Sequence, residues 1–350
     1  MSDNDDLETL VESYMERGVE GVFSGSGGLF VRIRQESDAE AVLELGHVQT
    51  LSVDAISNPG KWVPKLVRLP GLTRFEVCDE TVSGELLADL PLTTIEEVSL
   101  DWMHHQADEA LLYVAQRSGI RTVSLDASLV SARGLANLAN SETVEKLYLR
   151  SFPISQEGWK HLGRMQSLRE LAVWDSNGPD SFAVLSGLKK LESLDLYRSC
   201  IDPPMETMDW DSLGSLRNLK SLSLKDCQLN EDAPVPRLGA LDQVRLMRLD
   251  RTGITPRGLE RLRHLLPDCA FEYAERPDIV ETEFFPPLSG RESSEEDDIR
   301  PEDVARCLIV LHSVLSAGTD EELPLELDDD EETAGTTEPR RSWWSWWKKS

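Results

Sequence analysis

The chain has 350 residues, 40% of them hydrophobic but only 6% aromatic, enough for one elongated domain or two compact ones built around an aliphatic core. Its formal charge is -28, which repels phosphate backbones and makes basic proteins or basic segments better partners than nucleic acid. There is no uninterrupted apolar run long enough to span a bilayer, and the acidic start "MSDNDDLETL" is the reverse of a signal peptide, so the expected location is the cytoplasm. Cys78, Cys200, Cys227, Cys269 and Cys307 lie far apart with no CxxC, and read as reduced, mostly buried thiols.

Leu7, Leu10, Val11, Tyr14 and Met15 follow helical spacing up to Gly18. "LFVRIR" then alternates like an edge strand, and "SDAEAVLELG" reads as a second helix. The "SGSGG" before the strand is not a phosphate loop, because such loops lead from strand into helix and carry Lys-Ser/Thr.

From residue 48 to residue 249 one short pattern, L-x-x-L-x-L, recurs as "VQTLSV", "LTRFEV", "IEEVSL", "IRTVSL", "VEKLYL", "LRELAV", "LESLDL", "LKSLSL" and "VRLMRL". Its middle apolar residues are Leu51, Phe75, Val98, Val123, Leu147, Leu171, Leu194, Leu222 and Met247, a step of about 24 residues. A short alternating strand followed by an amphipathic turn of helix cannot bury its apolar face alone, whereas stacked copies bury a continuous core. The motif resembles the leucine-rich repeat family over roughly residues 29–275. The segments "VSARGLANLA", "ISQEGWKHLG" and "ITPRGLERLRHLL" are similar to the return helices of its bacterial and ribonuclease-inhibitor-like members. The resemblance implies an α/β solenoid, with a curved parallel sheet inside and short helices and turns outside. It also implies a role in supplying binding surfaces rather than catalysis, with no cofactor. The family's buried asparagine is replaced here by Met103, Ser128, Phe152, Ser176, Ser199, Cys227 and Thr252, so the turn's backbone groups must find other partners. A solenoid also needs closed ends: residues 1–46 read as the N-terminal cap, 47–275 as repeats, and "LLPDCAFEYAE" as a closing strand.

Side chains of a parallel ladder alternate between core and concave surface, which predicts two exposed columns. The first is Ser52, Glu76, Ser99, Ser124, Tyr148, Ala172, Asp195, Ser223 and Arg248. The second is Asp54, Cys78, Asp101, Asp126, Arg150, Trp174, Tyr197, Lys225 and Asp250. Tyr148, Arg150, Trp174 and Tyr197 have the composition of an interface hot spot, and Asp101 and Asp126 form an acidic step beside them. Together they suit a protein or peptide with a basic residue next to an apolar one. The two aspartates would also serve a carboxylate enzyme or a cation site, although no histidine or third ligand stands in these columns, and the adjacent pair His104 and His105 has no metal spacing. The longest step, between Leu194 and Leu222, holds Pro203, Pro204 and Trp210, and reads either as an extension of the binding surface or as a stiffened turn.

Residues 276–338 read as a mostly disordered acidic arm; the stretch 281–338 alone carries 19 acidic and 3 basic side chains. Within it, residues 301–317 predict an amphipathic helix with Val304, Leu308, Leu311 and Leu315 on one face, too apolar to stay undocked. The last segment, 339–350, is "PRRSWWSWWKKS". In a helix Trp343, Trp344, Trp346 and Trp347 would share one broad side, flanked by Lys348 and Lys349. This tip is too short to span a bilayer and has three readings: reversible contact with a membrane surface, docking into a partner's pocket, or folding back on the protein's own acidic surface.

Overall fold

The computed structural model describes residues 3–274 except 26–27, 55, 79–83, 89–93, 102–106, 127–129, 152, 200–208 and 230–231. The linker, its helix at 301–317 and the tryptophan tip at 339–350 therefore lie outside the described residues.

The repeated apolar triplets become strands because alternation puts every second side chain on one face. In chain order they are β1 (Gly21–Gly25), β2 (Gly28–Ile33), β3 (Thr50–Val53), β4 (Arg74–Val77), β5 (Glu97–Asp101) and β6 (Thr122–Asp126). They continue with β7 (Lys146–Arg150), β8 (Glu170–Trp174), β9 (Ser193–Asp195), β10 (Ser221–Ser223), β11 (Leu246–Arg248) and β12 (Ala270–Glu272). Among the described residues they form one 12-stranded sheet in strict sequence order. Strands β1 and β2 pair antiparallel, and every later neighbour is parallel.

The returns are helical: α1 (Asp3–Glu16), α2 (Glu36–Leu45), α3 (Pro59–Leu66), α4 (Gly84–Ala88), α5 (Ala107–Ala115) and α6 (Ala132–Leu138). Then come α7 (Gln156–Leu162), two 3-10 turns (Phe182–Gly187 and Trp210–Ser215), α8 (Val235–Leu238) and α9 (Pro256–Leu265). Their apolar residues, such as Leu66, Leu111, Leu135, Trp159 and Leu262, join the inward strand residues in one buried cluster.

Three returns share one device. Ser131, Ser155 and Thr255 cap α6, α7 and α9, accepting from the backbone N–H of Arg133, Gly158 and Gly258 respectively. Neighbouring repeats are stitched through the same residues. Asp232 accepts from the Thr255 N–H and from its hydroxyl, at 2.9 and 2.7 Å, and Asp108 accepts likewise from Ser131. The close approach explains the glycine of the "GL" motif: a Cβ on Gly258 would lie 2.0 Å from Asp232 Oδ1, and one on Gly134 would meet Asp108 in the same way.

Just past the strands the chain turns through left-handed residues at corresponding places, Ser151, Asp175, Arg198, Asp226 and Arg251, with φ between 50° and 58°. Where the family's asparagine is missing, smaller groups take over. Ser199 Oγ donates to the Val173 carbonyl, Cys227 Sγ to Leu196, and Thr252 Oγ1 to Leu249. One asparagine does act in this way, one position late: Asn177 both donates to the Ile154 carbonyl and accepts from its N–H, each at 2.6 Å.

At the N-terminal end, the buried Tyr14 of α1 donates to the Gly46 carbonyl at 2.6 Å, fixing that helix to the end of α2. Strand β1 is not among the elements expected from the sequence. Its "GVFSG" holds one buried residue, Val22, and gives no alternation to detect. Trp210 does not extend a binding surface: it is 1% exposed, its ring lies 5.0 Å from that of Phe182, and it belongs to the core.

Candidate functional site

Leu51 aligns with Phe75, and the row continues through Val98, Val123, Leu147, Leu171, Leu194 and Leu222 to Met247. All nine residues picked out by spacing are thus register partners, and Val31 and Phe271 prolong the row at its two ends. The fold is a leucine-rich repeat solenoid.

The solenoid register is carried by this chain's own hydrogen bonds and not by likeness to other structures, which is distant. An internalin from Listeria monocytogenes matches at 15% identity over 67% of this chain and 78% of its own, with a TM-score of 0.45. Toll from Drosophila, solved with Spätzle, matches at 14% identity over 63% and 30% of the two chains, with a TM-score of 0.46. A leucine-rich repeat protein of Leptospira interrogans matches at 13% identity over 77% and 98%, with a TM-score of 0.25. No protein-family model and no curated protein matches the sequence.

On the sheet face turned from the helices, the register brings the expected second-column residues together: Asp101 lies opposite Asp126, Asp126 opposite Arg150, and Arg150 opposite Trp174. Arg150 is the hinge of this row. Its guanidinium lies 4.7 Å from the Trp174 ring and 3.7 Å from the Asp126 carboxylate. Tyr148 stands beside Trp174 with ring centroids 6.5 Å apart, and Trp174 Nε1 donates to Asp195 Oδ2 at 3.0 Å. Tyr197 continues the aromatic band, approached by Arg198 at 5.5 Å and Lys225 at 5.9 Å. These side chains are half-buried against one another. Burial, and next the Glu170 carboxylate, raise the Tyr148 phenol, which stays a neutral donor.

The predicted exposure of the columns fails in the N-terminal half. Ser52, Glu76, Ser99, Ser124 and Asp101 are all at most 5% exposed, as are Ala172 and Ser223 further on. Strands about 4.8 Å apart leave a small side chain no opening between longer neighbours. The consequence for the acids is electrostatic. Burial pushes the Asp101 carboxyl up to about 7; Asp126 opposite and Glu76 add to the rise, against the Ser99 hydroxyl, which donates to it at 2.8 Å, and Arg150. Burial likewise pushes Glu76 up to about 7, only partly offset by Arg74 and Arg32. Cys78 is driven to about 12 by burial and by Asp101, and is an inert thiol.

Sequence reasoning passed over Glu76, because a single acid flanked by Ser52 and Ser99 in its column gives no pattern. Its Oε1 is buried and has no hydrogen-bond partner. Among the described residues no group of three His, Cys, Asp or Glu is placed to hold a metal ion, and no helix is long and apolar enough to cross a membrane. His104 and His105 lie outside the described residues, as do Trp343, Trp344, Trp346, Trp347, Lys348 and Lys349.

Proposed function

We propose that this chain is a non-enzymatic adaptor that holds a protein or peptide of basic character against the sheet face running from Asp101 to Tyr197, with its C-terminal tip acting in localisation or docking. The single observation that supports the reading is the interlocked set Asp126, Arg150, Trp174 and Tyr148: alternating charge and aromatic surface on adjacent strands, held before any partner arrives. Preformed aromatic and arginine side chains lose little freedom on binding, which is why they dominate interface energetics. The tip supplies a second contact through Trp343, Trp344, Trp346 and Trp347 with Lys348 and Lys349, and a long acidic arm raises the local concentration of whatever the repeats hold.

The test is a pull-down with the full chain beside the double variant Tyr148→Ala plus Trp174→Ala. Loss of partners from the variant is the expected outcome, and identical partner sets would reject the face as the site. Liposome flotation of the full chain against one ending at Pro339 tests the tip: equal flotation removes membrane contact and leaves docking into a partner or folding back on the chain's own acidic surface.

A further inference from the structure

The charged rows of the sheet follow a rule. Before the strands run Arg121, Glu145, Arg169, Glu192 and Lys220, each within 3.7 Å of the opposite charge next to it. After them run Asp175 with Arg198 at 2.7 Å and Asp226 with Arg251 at 2.5 Å. Arg74 meets Glu97, Lys146 meets Glu170, and Arg248 meets Glu272. Acid stands beside base at each of these steps.

Two steps depart from it: Lys220 is followed in its row by Arg245, and on β5 and β6 the buried Asp101 lies directly opposite Asp126. Like charges opposite each other in a ladder are destabilising. Glu76 adds to the problem: it is 2% exposed, its Oε1 has no hydrogen-bond partner, and its charge is close enough to raise the Asp101 carboxyl. Among the described residues, the groups that face these acids come from β2, β3, β4, β5 and β7. Strand β2 offers Arg32, β4 offers Arg74 with the neutral Cys78, and β5 brings Glu97, already held by Arg74. On β3, the Ser52 hydroxyl lies 3.6 Å from Cys78 Sγ and lowers the Glu76 carboxyl slightly, and Asp54 just past the strand is held by Arg34 at 3.8 Å. From β7, Arg150 meets Asp126 at 3.7 Å and is shared with Trp174.

We infer that Glu76, Asp101 and Asp126 form the receiving site for one ammonium or guanidinium group of the bound partner, seated beside the aromatic band. The inference rests on the face proposed above and names the chemistry it selects. The Asp126 side chain, 20% exposed, forms the solvent edge through which the group enters, displacing Arg150 toward Trp174. Entry of a cation favours the ionised acids and expels their protons. Affinity therefore rises with pH through about 7, where both buried carboxyls titrate.

The probe is a set of short peptides selected from a random display library on the immobilised full chain at pH 8. The expected peptides carry Lys or Arg next to an aromatic residue. Replacing that Lys or Arg by Ala, or testing the Asp101→Asn or Asp126→Asn protein, weakens binding at least about tenfold. Wild-type binding is weaker at pH 5.5 than at pH 8, and the Asp101→Asn, Glu76→Gln double variant flattens that dependence. Peptides without a cation that are lost on Tyr148→Ala plus Trp174→Ala but kept on Asp101→Asn would overturn the inference while leaving the adaptor reading intact. Peptides indifferent to all these variants would remove both, and displacement by millimolar calcium or magnesium would reassign the carboxylates to a metal.

Discussion

Asp101 and Glu76 make the free protein's stability depend on pH in the direction opposite to that of a salt-bridged carboxylate. Their folded-state pKa values, about 7, exceed the unfolded 3.8 and 4.5, so the folded chain prefers both acids neutral. The contribution is fully present below pH 4, is lost as pH rises toward 7, and is constant above that. Every tenfold change in a carboxyl's proton affinity is worth about 1.4 kcal/mol, so these acids cost on the order of 3 kcal/mol or more at pH 8. Urea denaturation should therefore show Asp101→Asn more stable than wild type at pH 8 and nearly equal to it at pH 4; equal stability at both values would mean the carboxyl is solvated after all. The place of Asp101 in its row was legible from spacing alone. Its burial was not, because it depends on how neighbouring strands pack side chains about 4.8 Å apart, and no one-dimensional pattern records that.

At the scale of an element, the informative unit is the capped return with its glycine. Gly258 lies inside α9, where alanine is ordinarily the better helix former by about 1 kcal/mol. Here the added methyl would overlap Asp232, so Gly258→Ala should lose stability by roughly 1–3 kcal/mol. Because Asp232 is the obstacle, its own truncation to alanine should relieve much of that loss, a non-additivity that a double-mutant cycle reads directly. Thr255→Ala removes a cap and an inter-repeat bond together, and chemical denaturation should report a loss of about 1–2 kcal/mol. The helices of "ARGLANL", "QEGWKHL" and "PRGLERL" were readable because cap, glycine and leucine recur at fixed offsets. Strand β1 was not, since only Val22 faces the core. Trp210 was misread for a related reason: acidic neighbours in sequence suggested surface, while a 3-10 turn rotates its ring inward against Phe182.

Across the whole repeat array, strands pair only with their immediate neighbours. Stability in such a stack is approximately a sum of unit and interface contributions, so the interior is the best protected. Amides of β6, β7 and β8 should exchange with deuterium more slowly than those of β12, whose Ala270 and Glu272 are exposed. Leu147→Ala, at a fully buried central position, should cost about 2–5 kcal/mol by denaturation. Uniform exchange along the array would instead indicate all-or-none opening.

The alternating Arg121, Glu145, Arg169, Glu192 and Lys220 side chains add a parity constraint to this modular design. Excising the single unit that carries Glu145 would bring two guanidinium groups side by side, whereas excising it together with the unit carrying Arg169 would seat Arg121 against Glu192. Each mismatch is worth only tenths of a kcal/mol at an exposed site, but the sign is fixed. Lengthening or shortening this stretch is thus electrostatically neutral in even numbers and penalised in odd ones.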